Sequence, residues 1–110
     1  MQEKILCAAI WYKDFPRQTN NNNDIQVNID RGIVICGHRH ASVISILGNL
    51  TGLRSVTSEV GEYEQGFLTN LNRFVSREEG AKIAIEAGQL LPNPDGLTII
   101  TDRLFSEDLY

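Results

Sequence analysis

Two stretches of the sequence combine side chains that bind metals or anions. The first is Cys36-Gly-His-Arg-His40, which follows an apolar run. On an extended strand its thiol and two imidazoles share one face, an arrangement that suits zinc. A helical apolar period begins at about His40 and breaks that shared face, and Cys7 is the only other cysteine or histidine in the chain. We therefore expect no metal site and no cofactor.

The same stretch also fits a turn between a strand and a helix. A helix that begins there presents unpaired backbone N–H groups, and the planar guanidinium of Arg39 matches the geometry of a phosphate. We expect His38, Arg39 and His40 to bind an anion. The alternative is that the two histidines only cap the helix and pack at the sheet edge.

The second stretch runs from Gln65 to Glu79 and precedes a predicted helix. Phe67 offers a flat face for a base, Asn72 offers a donor and an acceptor, and Arg73 and Arg77 offer positive charge. This combination is typical of a nucleotide pocket. The alternatives are that Phe67 fills the core and that Arg77 is a solvated side chain. The candidate ligand-binding residues are His38, Arg39, His40, Gln65, Phe67, Thr69, Asn72, Arg73 and Arg77.

Known catalytic signatures are absent from the sequence. It contains no Gly-x-Ser-x-Gly, no P-loop and no dinucleotide-binding fingerprint. We therefore expect a binding protein and not an enzyme.

Length and composition limit the class of protein. The 110 residues allow a single domain, residues 1–110, and 42% of them are hydrophobic. The formal charge of −4 disfavours binding to DNA or RNA polymers through a basic field. The longest apolar run, Ile5 to Tyr12, is far shorter than the ~20 residues that span a membrane. With two cysteines and no secretion signal, the expected location is a reducing cytoplasm.

Hydrophobic periodicity predicts the elements that position these residues. An apolar run, an alternating segment and two helical periods indicate an α+β fold, in which a mostly antiparallel sheet carries two helices in one small domain. The predicted elements are a strand at 5–12, a β-hairpin at 25–36, a helix at 40–51 ended by Gly52, a strand at 63–69, a turn at 70–73, a helix capped by Ser76 and Glu79 and ended by Gly88, and a final strand at 97–100.

An ordered series of short blocks resembles the bacteriophage Thoeris anti-defence proteins of the first type. The blocks are Cys7-Ala-Ala-Ile10, Cys36-Gly-His-Arg-His40, Gln65-Gly-Phe-Leu-Thr69, Asn72-Arg-Phe-Val-Ser-Arg-Glu-Glu79 with Ala84 to Gln89, and Leu104-Phe-Ser-Glu-Asp-Leu-Tyr110. Together they cover about a third of the chain.

The resemblance implies a sponge that binds cyclic ADP-ribose messengers made by TIR-domain enzymes and holds them without cleavage. It also implies homodimers, or hexamers built from dimers, with pockets at subunit interfaces and, in some members, separate pockets for cyclic oligonucleotides. The expected location is then the cytoplasm of the infected bacterium, with no membrane partner. The alternatives are a protein that inhibits a host factor through its two helices, and a small metal-dependent enzyme that uses Cys36, His38 and His40.

The size of the domain also predicts self-association. Two helices on one thin sheet leave apolar surface that 110 residues do not easily cover, so we expect an isologous dimer. The small residues Ala81, Ala84, Ala87 and Gly88 make the second helix a plausible contact face.

Overall fold

The computed structural model describes residues 2–15, 26–52, 61–90, 103–105 and 108–109. Within these ranges the chain forms four strands and two helices, and it confirms the predicted α+β class. The elements are β1 (Ile5–Tyr12), β2 (Ile33–Gly37), α1 (His40–Thr51), β3 (Tyr63–Thr69), β4 (Phe74–Ser76) and α2 (Arg77–Glu86).

The four strands form one sheet in the order β2-β1-β3-β4, and every neighbouring pair is antiparallel. The predicted first strand is confirmed and lies in the middle of the sheet. Its residue Ala9 pairs with Cys36 on one side and with Gly66 on the other. Most of β1 is buried, in line with its almost continuous apolar run, although Leu6 is 51% exposed.

Both helices pack on the same face of the sheet. Val43 and Leu47 of α1 pack with Ile10 and Tyr12 of β1. On α2, Ala81 and Ala84 belong to a second core cluster with Ala8, Phe67, Val75 and Leu104. The small side chains of α2 therefore let the helix approach its own sheet. The prediction that Ala81 and Ala84 contact another protomer is wrong, because both are buried in this core.

The ends of both helices follow the local sequence signals. Gly52 takes a left-handed conformation, with φ 76°, directly after α1. At the start of α2 the Ser76 hydroxyl accepts a hydrogen bond of 3.1 Å from the backbone N–H of Glu79. Gly88 has φ 66° just beyond α2. The predicted bounds of α1 and the predicted cap of α2 are confirmed.

The β-hairpin predicted at 25–36 is wrong. Its second half is strand β2, but β2 pairs with β1, and residues 26–32 form a loop. Within the loop, Ile29 is buried against Ala9 and Phe74. The side-chain amide of Asn28 pairs with the backbone of Phe74. The alternating pattern therefore reflects one buried isoleucine and one edge contact, and not a strand.

A short strand after the predicted 70–73 turn was not foreseen. Strand β3 is confirmed at 63–69, and the turn leads into β4, which has only three residues. Asn72 has φ 57° in this turn. A strand of three residues is too short to show an alternating hydrophobic pattern, so the sequence does not predict β4. Its extended conformation depends on its pairing with β3. The final strand predicted at 97–100 lies outside the described residues.

Candidate functional site

Both helices begin beside the same residue of β3. The Nε2 atom of His40, the first residue of α1, is 2.7 Å from the carbonyl oxygen of Gly66. Since a carbonyl only accepts, Nε2 carries the proton and donates. Ser76, which caps α2, lies opposite Gly66 in the β3–β4 register. The His40 side chain at the start of α1 and the cap residue of α2 therefore both lie beside Gly66, near the middle of β3.

The lack of a side chain at Gly66 allows β4 to approach β3 closely. A Cβ atom there would collide with the Val75 carbonyl oxygen and would lie 2.8 Å from the Phe74 ring. The close approach at Gly66 is therefore made by β4, whose backbone and phenyl ring occupy the space that a side chain would need.

A cleft of about 450 Å³ opens where the first half of β3 meets the start of α2. Its volume falls in the range of small-molecule pockets. The lining is largely polar and contains an aromatic ring, an amide, a hydroxyl and four charged groups. The lining residues are Tyr63, Glu64, Gln65, Ser76, Arg77, Glu78 and Arg103.

Arg77 is held rigidly at this cleft. Its Nη2 donates to Gln65 Oε1 at 2.6 Å, and its Nη1 donates to the Leu104 carbonyl oxygen at 2.7 Å. The backbone N–H of Leu104 donates in return to the Arg77 carbonyl oxygen at 2.9 Å. The guanidinium carbon lies 4.5 Å from the centroid of the Phe105 ring. These contacts fix the orientation of the guanidinium before any ligand arrives.

The charges around the cleft balance each other. Arg103 Nε lies 3.6 Å from Glu78 Oε1, and Lys13 Nζ lies 3.3 Å from Glu64 Oε1. The side chains of Arg103 and Glu78 are both more than half exposed. An exposed ion pair of this kind is worth at most about 1 kcal/mol. An anionic ligand therefore competes with Glu78 for Arg103 at little cost.

Arg73 lies in a different network that joins the chain's N-terminal residues to the β3–β4 hairpin. Its Nε and Nη2 donate to the two carboxylate oxygens of Glu3, each at 2.8 Å, and Nη2 also lies 3.2 Å from Glu79 Oε1. The Thr69 hydroxyl donates to the same Glu3 carboxylate at 2.7 Å. Chiefly through the hydrogen bond from Arg73, the pKa of Glu3 lies below its ordinary value.

This network contains two of the predicted site residues, Thr69 and Arg73. Thr69 is almost fully buried. Arg73 is already hydrogen-bonded to the carboxylates of Glu3 and Glu79, and ligand binding by Arg73 stays a prediction. Neither residue lines the cleft.

Phe67 and His40 are buried in the core. The Phe67 ring is 0% exposed and packs edge-on against the His40 ring, with centroids 5.1 Å apart. The expectation that Phe67 stacks on a base is wrong in this structure, because no face of the ring reaches the surface. The His40 side chain is 8% exposed, and its Nε2 is hydrogen-bonded to the Gly66 carbonyl oxygen. The His40 ring is therefore also buried in the core and does not face a surface ligand.

The other predicted residues occupy three separate places. Gln65 and Arg77 lie together in the cleft. His38 and Arg39 form the turn between β2 and α1, and the predicted strand-to-helix turn there is confirmed. Asn72 is exposed at the β3–β4 turn. Anion binding at Arg39 stays a prediction.

Five residues of the cleft were not predicted as site residues: Tyr63, Glu64, Ser76, Glu78 and Arg103. A sequence signal existed for Tyr63, since it alternates with Gln65 and so shares a face of β3. Arg103 had no such signal. It reaches the cleft because the adjacent Leu104 is buried in the core and bonded to Arg77.

The two thiols lie near each other on the sheet face that the helices leave uncovered. A hydrogen bond between them lowers the pKa of Cys7 to about 7 and raises that of Cys36. No cluster of three or more metal-ligating side chains occurs in the described part of the chain. Among the described helices, none is long and apolar enough to cross a membrane.

Comparison with known proteins identifies the family. The profile of the phage T4 y16D protein family matches residues 4–110, nearly the whole chain, so the chain belongs to that family. No curated protein and no solved structure matches.

Proposed function

We propose that this member of the phage T4 y16D family is an anti-defence sponge. It binds cyclic ADP-ribose messengers in the cytoplasm of the infected bacterium and holds them without cleavage, which blocks TIR-based Thoeris defence. The observation that carries the proposal is the cleft in which Arg77 is held in a fixed orientation by Gln65 and Leu104. The resemblance of the ordered sequence blocks supplies the class of ligand.

The chemistry of the cleft suits a compact diphosphate that carries an adenine base. Arg77 and Arg103 face the diphosphate, and the start of α2 adds partial positive charge beside them. The half-exposed ring of Tyr63 stacks on the adenine, and Gln65 offers an amide to the sugar or base. Because Arg77 is already ordered, little conformational entropy is lost when the ligand binds.

Calorimetry with cyclic ADP-ribose isomers tests the proposal. Arg77→Ala should weaken binding by about one to two orders of magnitude, since a charge-assisted contact contributes about 1.5–3 kcal/mol. Arg31→Ala is the matched control, because Arg31 is paired with Glu62 outside the cleft. Glu78→Gln should strengthen binding, since it removes the carboxylate that competes for Arg103.

Recovery of the bound ligand tests the absence of cleavage. After binding, the protein is heat-denatured and the released ligand is analysed by mass spectrometry. A sponge returns the cyclic messenger intact. Linear ADP-ribose in the supernatant, or wild-type affinity in Arg77→Ala, would overturn the proposal.

A further inference from the structure

The hydroxyl of Tyr12 is buried without a hydrogen-bond partner. Tyr12 is 0% exposed, and among the buried side-chain nitrogen and oxygen atoms of the described residues its hydroxyl oxygen alone lacks a partner. A buried polar group that makes no hydrogen bond destabilises the folded state, so native proteins keep few of them. A molecule that enters the fold and pairs with this hydroxyl would explain why it is kept.

The surroundings of this hydroxyl are apolar. Tyr12 belongs to a hydrophobic cluster with Ile10, Val43 and Leu47, and the ring of Phe15 lies edge-on to it with centroids 5.9 Å apart. A trapped water molecule needs about two to four polar partners, which apolar side chains do not supply. A phosphate would bury its charge among the same side chains at a high cost. The cluster therefore suits a flat, uncharged group that carries a hydrogen-bond acceptor.

Tyr12 is the neighbour of a residue that lines the proposed messenger cleft. It pairs with Tyr63 in the register of β1 and β3, so the two side chains share one face of the sheet. Their ring centroids are 6.5 Å apart, and the rings are tilted by 38°. Tyr63 lines the cleft and is 36% exposed, whereas Tyr12 is covered. The Tyr63 ring therefore connects the cleft to Tyr12.

We propose that Tyr12 determines specificity for the base of the messenger: the Tyr63 side chain turns away from Tyr12 and stacks on adenine, and the Tyr12 hydroxyl donates a hydrogen bond to an adenine ring nitrogen. This inference rests on the proposed function. Adenine combines an apolar face with ring nitrogens that accept hydrogen bonds. Burial, and after it the neighbouring Tyr63, raises the pKa of Tyr12, so the hydroxyl keeps its proton at neutral pH and acts as a donor.

Tyr12→Phe tests this assignment because it removes only the hydroxyl. Without ligand, we expect a melting temperature equal to or above that of the wild type, since an unpaired buried group is lost. In calorimetry with cyclic ADP-ribose isomers, we expect the affinity to fall by about 5- to 100-fold, since the ring nitrogen is then buried without a donor. A side chain that only packs the core does not combine unchanged or higher stability with weaker binding.

Messenger analogues identify the atom that accepts the hydrogen bond. In each analogue, one ring nitrogen of the adenine is replaced by C–H. We expect one analogue to bind the wild type more weakly than the unmodified messenger does, and to bind Tyr12→Phe as the unmodified messenger does, because the two changes remove the same contact.

Two other buried positions supply matched controls. The buried hydroxyl of Thr69 donates to Glu3, so Thr69→Val should lower the melting temperature, whereas Tyr12→Phe should not. Ile35→Val shortens another side chain of the Tyr12 cluster and should keep wild-type affinity.

The outcomes separate this inference from the proposed function. If the wild type binds no messenger, both fail together. If the wild type binds the messenger and Tyr12→Phe binds it equally well, this inference alone fails. It also fails if every analogue loses the same affinity for both proteins, because the hydroxyl then contacts no ring nitrogen. A Tyr12→Phe protein that melts well below the wild type would likewise overturn it, because the hydroxyl would then have a partner within the fold.

Discussion

Arg73 shows how a side chain suited to a ligand can be used inside the fold. Its forked guanidinium matches a phosphate, and it matches the Glu3 carboxylate equally well. The sequence places Glu3 seventy residues away, so no local pattern revealed the partner. The type of contact was therefore predictable from the sequence, but its recipient was not.

We expect Arg73→Ala to lower the free energy of unfolding by about 1–3 kcal/mol, because it leaves Glu3 with only part of its hydrogen-bond partners. Urea denaturation measures the change. Arg31→Ala, which breaks an exposed pair with Glu62, should change the same quantity by less than about 1 kcal/mol. Unchanged stability with lost messenger affinity would instead make Arg73 a ligand contact.

The Glu3–Arg73 pair also predicts a pH dependence. Because Arg73 holds the pKa of Glu3 below 4.5, the folded state favours the carboxylate. The stabilisation is present above the unfolded pKa and is lost as pH falls through the lower folded pKa. Glu3→Gln should therefore be less stable than wild type at about pH 7, and the difference should shrink towards about pH 3. A difference that stays constant between those two pH values, measured by urea denaturation, would contradict this assignment.

Phe67→Ala is expected to destabilise the fold by about 3–5 kcal/mol, because the ring is fully buried between the sheet and the helices. Phe67→Trp should also destabilise, since the packed core has no room for a larger ring. Phe105→Ala is the control for losing an exposed phenyl ring. Thermal melts that match wild type for both Phe67 variants would restore the stacking interpretation.

At the scale of elements, the long periodic segments were predictable and the short ones were not. β1, β3 and both helices each carry enough residues for a period, and their caps are local. β4 and the 26–32 loop depend on each other, because the Asn28 amide takes the place that a neighbouring strand would occupy beside Phe74. Tertiary contacts decided their structure, and neither segment alone contains that information. Of the residues that line the cleft, Gln65 and Arg77 lie in segments with a local sequence pattern, whereas Arg103 reaches the cleft only through the tertiary contacts of Leu104.

The Asn28 contact is testable as an element of the sheet. Asn28 Nδ2 donates to the Phe74 carbonyl at 2.6 Å, and Oδ1 accepts from the Phe74 N–H at 2.9 Å. Asn28→Ala should speed hydrogen exchange at the Phe74 amide and cost about 1–3 kcal/mol. Asn28→Asp should cost at least as much, since a carboxylate then faces the carbonyl. Val27→Ala, at a neighbouring side chain that is 72% exposed, is the control and should leave exchange at Phe74 unchanged.

Equal exchange at Phe74 in Asn28→Ala and wild type would mean that β4 is held by β3 alone. The edge amide would then have no structural role, and the buried Ile29 would be sufficient to fix the loop.

At the scale of the whole molecule, the helices cover one face of the sheet and leave the other face to the 26–32 loop. Half-buried apolar side chains remain there, among them Val34 and Leu68. We expect an isologous dimer that buries part of this surface or of the sheet edge. Sedimentation at micromolar concentration should give about twice the mass of the 12.3 kDa chain. A monomer under those conditions would contradict the expectation.

The two margins of the sheet differ in what they offer to another strand. Beside β4, the Asn28 amide already satisfies the Phe74 backbone, whereas no strand lies beyond β2 in the described part of the chain. Lateral growth can therefore proceed from one margin only. In a dimer formed through β2, the β2 edges of both copies would be paired with each other. The β4 edges, where Asn28 is hydrogen-bonded to the Phe74 backbone, would then lie at the two ends of the joined sheet. Strand addition of this kind stops at a pair and does not propagate into a fibre.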